Sequence, residues 1–304
     1  MDKLISTFGT SIDLTKTRVK NGPQKVTVFG GKTSNTGSAP SQRGIFLLSP
    51  GELVDCLVVP ENFKNWNHFG IYNDLLSFEE DVCSLVDTVL IFLESAGSIA
   101  EFSAFIKHRE IAPKLLIIFN GEEEEDSFIR LGLIRYLENR YPGTAPVITS
   151  RGPSLSRDES KFIIEEINRR RNLIPRLPIF NPTNTRHWLY LIVDFIDIMQ
   201  VARISDIAGF LKSAGFTQKK KRVEQLLLAL KNVGLINERA VLSERCFYLE
   251  SSINLIDYSF NSGSSSKRVT WKAKIFDETS QDRWRMYAHK QLKQNETEGV
   301  EIVA

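Results

Sequence analysis

The sequence predicts an α/β chain: a doubly wound parallel sheet followed by an α-rich winged helix-turn-helix domain. Three observations support this. Short runs that are apolar on both faces, such as Thr88-Val89-Leu90-Ile91-Phe92-Leu93, alternate with segments of helical periodicity. Turn-forming residues follow those runs, at Gly30-Gly31, Glu94–Ser98 and Asn120-Gly121. Beyond residue 185 the order changes to helix, helix, turn, helix, hairpin, with a basic run opening the third helix.

The first 24 residues are polar and read as an N-terminal arm. A strand follows at Lys25–Phe29 and a second at Val54–Val59, closed by Pro60. Between them lies a loop rich in Gly, Ser, Thr and Asn. Positions 75, 78, 82, 85 and 86 repeat at helical spacing before the strand Thr88–Leu93. A helix starts near Ser98 and runs through Phe102, Phe105 and Ile106. The strand Lys114–Phe119 comes next, and the acidic run Glu122–Glu125 leads into a helix through Phe128, Leu131 and Leu137. Acidic residues in a first turn suit the helix dipole. A last strand lies at Ala145–Thr149. Residues 25–150 thus form one domain. The stretch 151–185 holds an amphipathic helix, then Arg169-Arg170-Arg171 and three prolines, and reads as a linker.

The second module spans 186–252. Trp188–Met199 is an apolar helix. Ile204–Gly215 is a shorter one, with Ser205 as its cap, and Thr217 caps a third that ends at Gly234. A hairpin is expected at Val241–Leu249. Residues 253–304 form a C-terminal extension with a helix at Ser280–Lys293 that carries Trp284 and Tyr287.

Composition narrows the function classes. The 304 residues are 42% hydrophobic and 25% charged, as in ordinary globular proteins. A net charge of +2 implies no general polyanion affinity, so any nucleic-acid surface is local. The three cysteines are scattered without CxxC spacing, and the four histidines stand apart, so no metal site is expected. No run approaches a membrane span and the N-terminus lacks a signal-peptide core. A cytoplasmic location without membrane attachment is the expectation, and no cofactor is implied.

In a parallel sheet, ligands bind at the carboxyl ends of the strands, where the three turns fall together. Glu101 would sit in the first turn of the helix after Thr88–Leu93. A carboxylate there can act as a nucleophile or stabilise an oxocarbenium-like centre. Gly30, Gly31, Gly97 and Ser98 let a ribose or phosphate approach closely, and Glu94 can accept from ribose hydroxyls. Another reading stays open: Ser98 and Glu101 have the S-x-x-E spacing of a capping box. The run Lys219-Lys220-Lys221-Arg222 is placed to contact phosphates, or is a solvated helix start.

The segments Ile71–Leu75, Val86-Asp87 and Glu94–Phe102 resemble the nucleoside deoxyribosyltransferase family, whose D-S-G-T-x-x-E segment ends in a covalent nucleophile. On that resemblance Glu101 matches the nucleophile, Glu94 stands near the ribose-contacting acid, with Ser95 beside it, and Asp74 stands near an earlier acidic position. Residues 93–105 resemble more closely the P-E-S-x-G-S-x-x-E-[LF]-x-A-F segment of deoxyribosyltransferase-like effectors of bacterial retron defence systems. Leu75–Glu79 and Ser127-Phe128-Ile129 also match features of those effectors. Leu93 in place of Pro, Ser98 in place of Thr and Ser103 in place of Gly depart from the patterns. The resemblance implies a toxin of an anti-phage system that cleaves an N-glycosidic bond, with NAD as substrate rather than cofactor. It also implies a homo-oligomer or larger assembly, with a reverse transcriptase and its DNA–RNA hybrid as partners. The residues themselves do not separate NAD from a nucleoside, nor turnover from a nucleotide-sensing regulator.

Overall fold

A computed structural model describes residues 1–32, 41–67, 70–120, 127–149, 154–261 and 267–298. It divides into two units: Pro23–Ile174, and Met1–Gly22 together with Pro175–Ala304.

The first unit is built on a five-stranded parallel sheet. Its strands are β2 (Val26–Phe29), β3 (Leu57–Val58), β4 (Thr88–Phe92), β5 (Leu115–Asn120) and β6 (Val147–Thr149), in spatial order β3-β2-β4-β5-β6. Every residue of β4 is buried. Successive side chains of β4 enter different cores. Val89 and Ile91 pack with Phe29, Phe102 and Phe105. Leu90 and Phe92 pack with Phe46, Ile163 and Ile167. The helices behind these contacts are α3 (Leu75–Leu85), α4 (Ala96–Phe105) and α5 (Arg135–Arg140) on one face, and α2 (Gln42–Leu48) and α6 (Arg157–Asn172) on the other. Each fully buried Val, Leu, Ile or Phe contributes roughly 1.5–3 kcal/mol, so a central strand with no wet face is a main source of this unit's stability.

Several expectations are corrected. The strand expected over 54–59 shrinks to Leu57–Val58, because Gly51–Cys56 winds into a 3-10 helix that buries Leu53 and exposes Val54. The segment read as a linker contributes α6, which belongs to the sheet unit. Its arginines fasten it: Arg170 donates to Leu115 O at 2.5 Å, and Arg171 pairs with Asp87 at 3.3 Å. The helix after the acidic run starts as a π-helix, Ile129–Ile134. Glu122–Glu125 and Gly121 lie outside the described residues.

The second unit begins with a helix where an irregular arm was expected. α1 (Asp2–Ser11) buries Phe8 completely, with ring centroids 5.4 Å from Phe210 and 5.2 Å from Trp271. One turn of buried stripe in a polar ten-residue helix leaves little periodicity to read. The unit continues through α7 (Thr185–Met199), β7 (Val201–Arg203), α8 (Ile204–Ser213), α9 (Lys220–Asn232), β8 (Asn237–Val241) and β9 (Glu244–Tyr248). The three strands form an antiparallel sheet in the order β7-β9-β8. The hairpin turns through Leu242 and Ser243, both at positive φ, as a two-residue primed turn requires. Arg203 rather than Ser205 precedes α8, where Asp206 accepts from Arg203 N at 2.8 Å, and Lys219 rather than Thr217 precedes α9.

The short strand β1 (Arg18–Val19) pairs with β10 (Ile256–Asp257) in the same unit. The expected single C-terminal helix is two, α10 (Arg268–Thr279) and α11 (Arg283–Glu298). Buried ion pairs hold both. Arg268 spans Asp194 at 3.0 Å and Asp197 at 2.6 Å on α7, while Arg285 meets Asp206 at 2.7 Å. Among the described residues, no helix is long and apolar enough to cross a membrane.

Candidate active site and basic surface

The strand order reverses between β2 and β4, so the crevice beyond their carboxyl ends is where an open α/β sheet receives a ligand. Gly30-Gly31 leaves β2 there and Glu94-Ser95 leaves β4. Glu94 ties the two together. Its carboxylate accepts from the backbone N–H of Gly31 at 3.0 Å, Gln42 at 2.8 Å and Arg43 at 3.1 Å. The glycines make this closure possible. A Cβ on Gly31 would stand 3.2 Å from Glu94 Cγ and Cδ, and one on Gly30 would stand 2.9 Å from Arg43 Cβ. The close approach that the glycines allow is therefore made by this chain's own Glu94 and Arg43.

Arg43 is 3% exposed. Its guanidinium pairs with Glu61 at 2.7 Å and donates to Gly31 O at 3.3 Å. Burying an arginine is tolerable because it is paired. Glu61 comes from the 3-10 turn Pro60–Asn62 that follows β3.

Ser95 caps α4, accepting from Ser98 N at 3.1 Å, and the Ser98 hydroxyl accepts from Ser95 N at 3.1 Å. The capping box is thus Ser95 with Ser98, and the expected Ser98–Glu101 box does not form. The helix starts one turn earlier than the spacing suggests, which moves Glu101 from the first turn into the second. There the carboxylate is released from capping. Its Oε2 is buried and has no hydrogen-bond partner. Burial, reinforced by Glu61 and opposed by Arg43, raises its pKa to about 7. Glu79, on the buried side of α3 and 5% exposed, is raised to about 8 by burial, then by Glu101 and Glu61. Two coupled carboxyls that hold protons near neutrality form a site suited to nucleophilic and acid–base work.

The structure brings Gly30, Gly31, Glu94, Ser95 and Ser98 to one edge and places Glu101 on the helix that starts there. Asp74 caps α3, accepting from Ser77 N at 2.7 Å, and is exposed. Gly97 is exposed, and a Cβ on it would meet nothing nearer than Ser95 Oγ at 3.8 Å. Sequence reasoning missed Arg43, Glu61 and Glu79. Glu79 carried a signal: it continues the apolar stripe 75, 78, 82 of an amphipathic helix, where a carboxylate is out of place. Arg43 and Glu61 gave none.

In the second unit, Lys219, Lys220 and Lys221 are exposed at the start of α9, and Lys220 reaches Glu224 only at 4.0 Å. Arg222 is half-buried and donates to Gln225 at 3.3 Å. Three exposed cations in a first turn are poorly matched to the helix dipole, an arrangement suited to an external anion. Arg169 and Arg170 pair with Glu166 and Arg171 with Asp87, all within the sheet unit.

Residues 41–238 match the model of the STM3845 retron effector protein family. The chain belongs to that family. The matched span covers the candidate site from Arg43 to Glu101 and the basic start of α9. Two Escherichia coli relatives are similar. One, named "Retron Ec73 putative ribosyltransferase/DNA-binding protein", is 29% identical over 135 residues, 42% of each chain. The other, "Retron Ec86 putative ribosyltransferase/DNA-binding protein", is 31% identical over 116 residues, 37% of this chain and 38% of its own. The similarity spans about two-fifths of the relatives' length.

Proposed function

We propose that this retron effector breaks an N-glycosidic bond of NAD or a related nucleotide, with Glu101 as the nucleophile. The observation that carries the reading is the buried Glu101 Oε2 without a partner, at the switch point of the sheet, with a pKa near working pH. The ionised carboxylate attacks C1′ of the ribose. The C–N bond breaks and its electron pair leaves with the base. Water then hydrolyses the glycosyl ester and releases a proton. A nicotinamide leaves as a neutral molecule because its ring nitrogen is already cationic, so no acid is required. Glu94 and the Ser95–Ser98 box act by fixing the loop and helix around the sugar.

Glu79 favours a second reading of the same site. A carboxyl still protonated near pH 7 can donate to a leaving base that needs a proton, as in nucleoside deoxyribosyl transfer.

The helical unit is read as a winged helix-turn-helix with α9 as its nucleic-acid-facing helix, on the strength of the α7-β7-α8-α9-β8-β9 order and the lysines at its start. With the family membership, this supports an anti-phage toxin. A reverse transcriptase and its DNA–RNA hybrid would hold it inactive within a larger assembly. The test is Glu101→Gln in the full system. Base release from NAD and cell toxicity should both disappear. A variant that stays fully toxic and folded would remove Glu101 from the mechanism.

A further inference from the structure

Arg43 does more than pair with Glu61. It is tied to the exits of three neighbouring strands, β3, β2 and β4, which stand side by side in the sheet. Its Nη2 donates to Glu61, on the turn after β3, at 2.7 Å. Its Nη1 donates to the carbonyl of Gly31, just beyond β2, at 3.3 Å. Its backbone N–H donates to Glu94, just beyond β4, at 3.1 Å. The chain makes room for this side chain, since a Cβ on Gly30 would stand 2.9 Å from both Arg43 Cβ and Cδ. Stability alone does not call for an arginine here. A buried ion pair roughly breaks even against apolar side chains of similar volume. The Arg43 Nε–H is also buried without a hydrogen-bond partner among the described residues, which costs free energy. A role in the site accounts for that cost.

The titratable groups that act with Glu101 come from the elements around it: Glu79 and Cys83 from α3, Glu61 from the turn after β3, and Arg43 from α2. Burial holds the Glu79 proton to about pH 8 and pushes the Cys83 thiol well above its usual value. The Arg43–Glu61 ion pair is therefore the charged part of this set at neutrality. Burial raises the Glu101 carboxyl most, Glu61 adds to the rise and Arg43 opposes it. We propose that Arg43 is a positioning residue: it gathers the exits of β2, β3 and β4 into one edge and sets its charge against that of Glu61 to hold Glu101 ready for attack. The proposal rests on the reading of Glu101 as the nucleophile, but the control of Glu101 by Arg43 can be measured without turnover.

The test uses the full chain with isotope-labelled glutamate side chains, the Glu101 carboxyl resonance being the one lost in Glu101→Gln. Titration by NMR then reads Glu101 directly, and cleavage of NAD is followed over the same pH range. Arg43→Gln removes the opposing cation, so the Glu101 midpoint should rise by about one pH unit, and the acid limb of kcat with it. With a starting value of about 7, such a rise should lower kcat at neutrality about fivefold, because less of the carboxyl is ionised. Arg43→Lys restores a cation and should bring the midpoint back. Its kcat should stay low at every pH, because an ammonium lacks the fork that holds Glu61 and Gly31 together. Glu61→Gln removes the like charge from a side chain that is 45% exposed, so the chain should fold and the midpoint should drop. Opposite movements in Arg43→Gln and Glu61→Gln are the expected result. Midpoints that stay put, or that move in the same direction, would overturn the proposal. If Arg43→Gln does not fold, Glu61→Gln decides: a midpoint that drops supports the proposal and one that does not overturns it. A wild type that cleaves no NAD while the midpoints move apart would count against the glycosidic reading and leave the control of Glu101 by Arg43 standing.

Discussion

Glu79→Gln should reverse a pH-dependent loss of stability in the sheet unit. The sign follows from the two end states. In the folded chain Glu79 keeps its proton to about pH 8, first because of burial and then because of Glu101 and Glu61, whereas its ordinary value is 4.5. Between these values the folded state binds more protons than the unfolded one, so stability falls as pH rises. The stabilisation is complete below pH 4.5 and is lost as pH climbs through about 8. Each pH unit inside that window is worth up to about 1.4 kcal/mol. Moving from pH 6 to pH 9 crosses about two units of it, so the wild type loses about 2–3 kcal/mol from this group. Glutamine has the same shape and no charge to bury, so the variant avoids that loss. Hydrogen exchange of the β4 and β5 amides, measured at both pH values and corrected for intrinsic rates, reads the opening free energy of this unit. The difference between variant and wild type should grow by about 2–3 kcal/mol in the variant's favour from pH 6 to pH 9. A difference that stays constant with pH would refute the assignment of Glu79 as a buried, protonated carboxyl.

Other outcomes follow from the same geometry. Glycosidic cleavage should rise with pH and level off above about 7, because Glu101 must be ionised to attack; a rate that falls across that range in a stopped-assay profile would count against the nucleophile. Glu94→Ala strands three backbone N–H groups and should cost about 1–3 kcal/mol locally, seen as faster exchange at Gly31, Gln42 and Arg43. Changing Lys219, Lys220 and Lys221 to Glu should flatten the salt dependence of duplex binding by about two to three units of log–log slope, measured by titration at several salt concentrations. Asp194→Ala leaves Arg268 half-paired and uncaps Leu255 N; a loss of about 3–5 kcal/mol is expected in denaturation followed by tryptophan fluorescence.

Much of the fold could be read from local pattern because its causes are local. A strand buried on both faces, such as Thr88–Phe92, must be apolar throughout, and that shows in one chain. The stops at Gly215 and Gly234 were legible because their backbones need positive φ, 92° and 76°. The basic run at 219–222 was visible as composition. The short helix α1 was not, because its single buried stripe is matched by partners more than 180 residues away, Phe210 and Trp271.

The candidate site divides in the same way. The sequence by itself determined that a turn with carboxylates follows the central strand; the spacing left Glu101 open between a helix cap and a nucleophile, and the resemblance to deoxyribosyltransferase-like effectors singled it out. Tertiary structure decided what each acid does. Glu94 and Glu101 are seven residues apart and chemically alike, but one meets three backbone donors and the other meets burial, the Glu61 carboxylate and Arg43, and itself acts on Glu79. A carboxylate's protonation and reactivity depend on what surrounds it within a few ångströms. For Glu101 those surroundings are Arg43, Glu61 and Glu79, supplied by separate elements that only the sheet's strand order gathers.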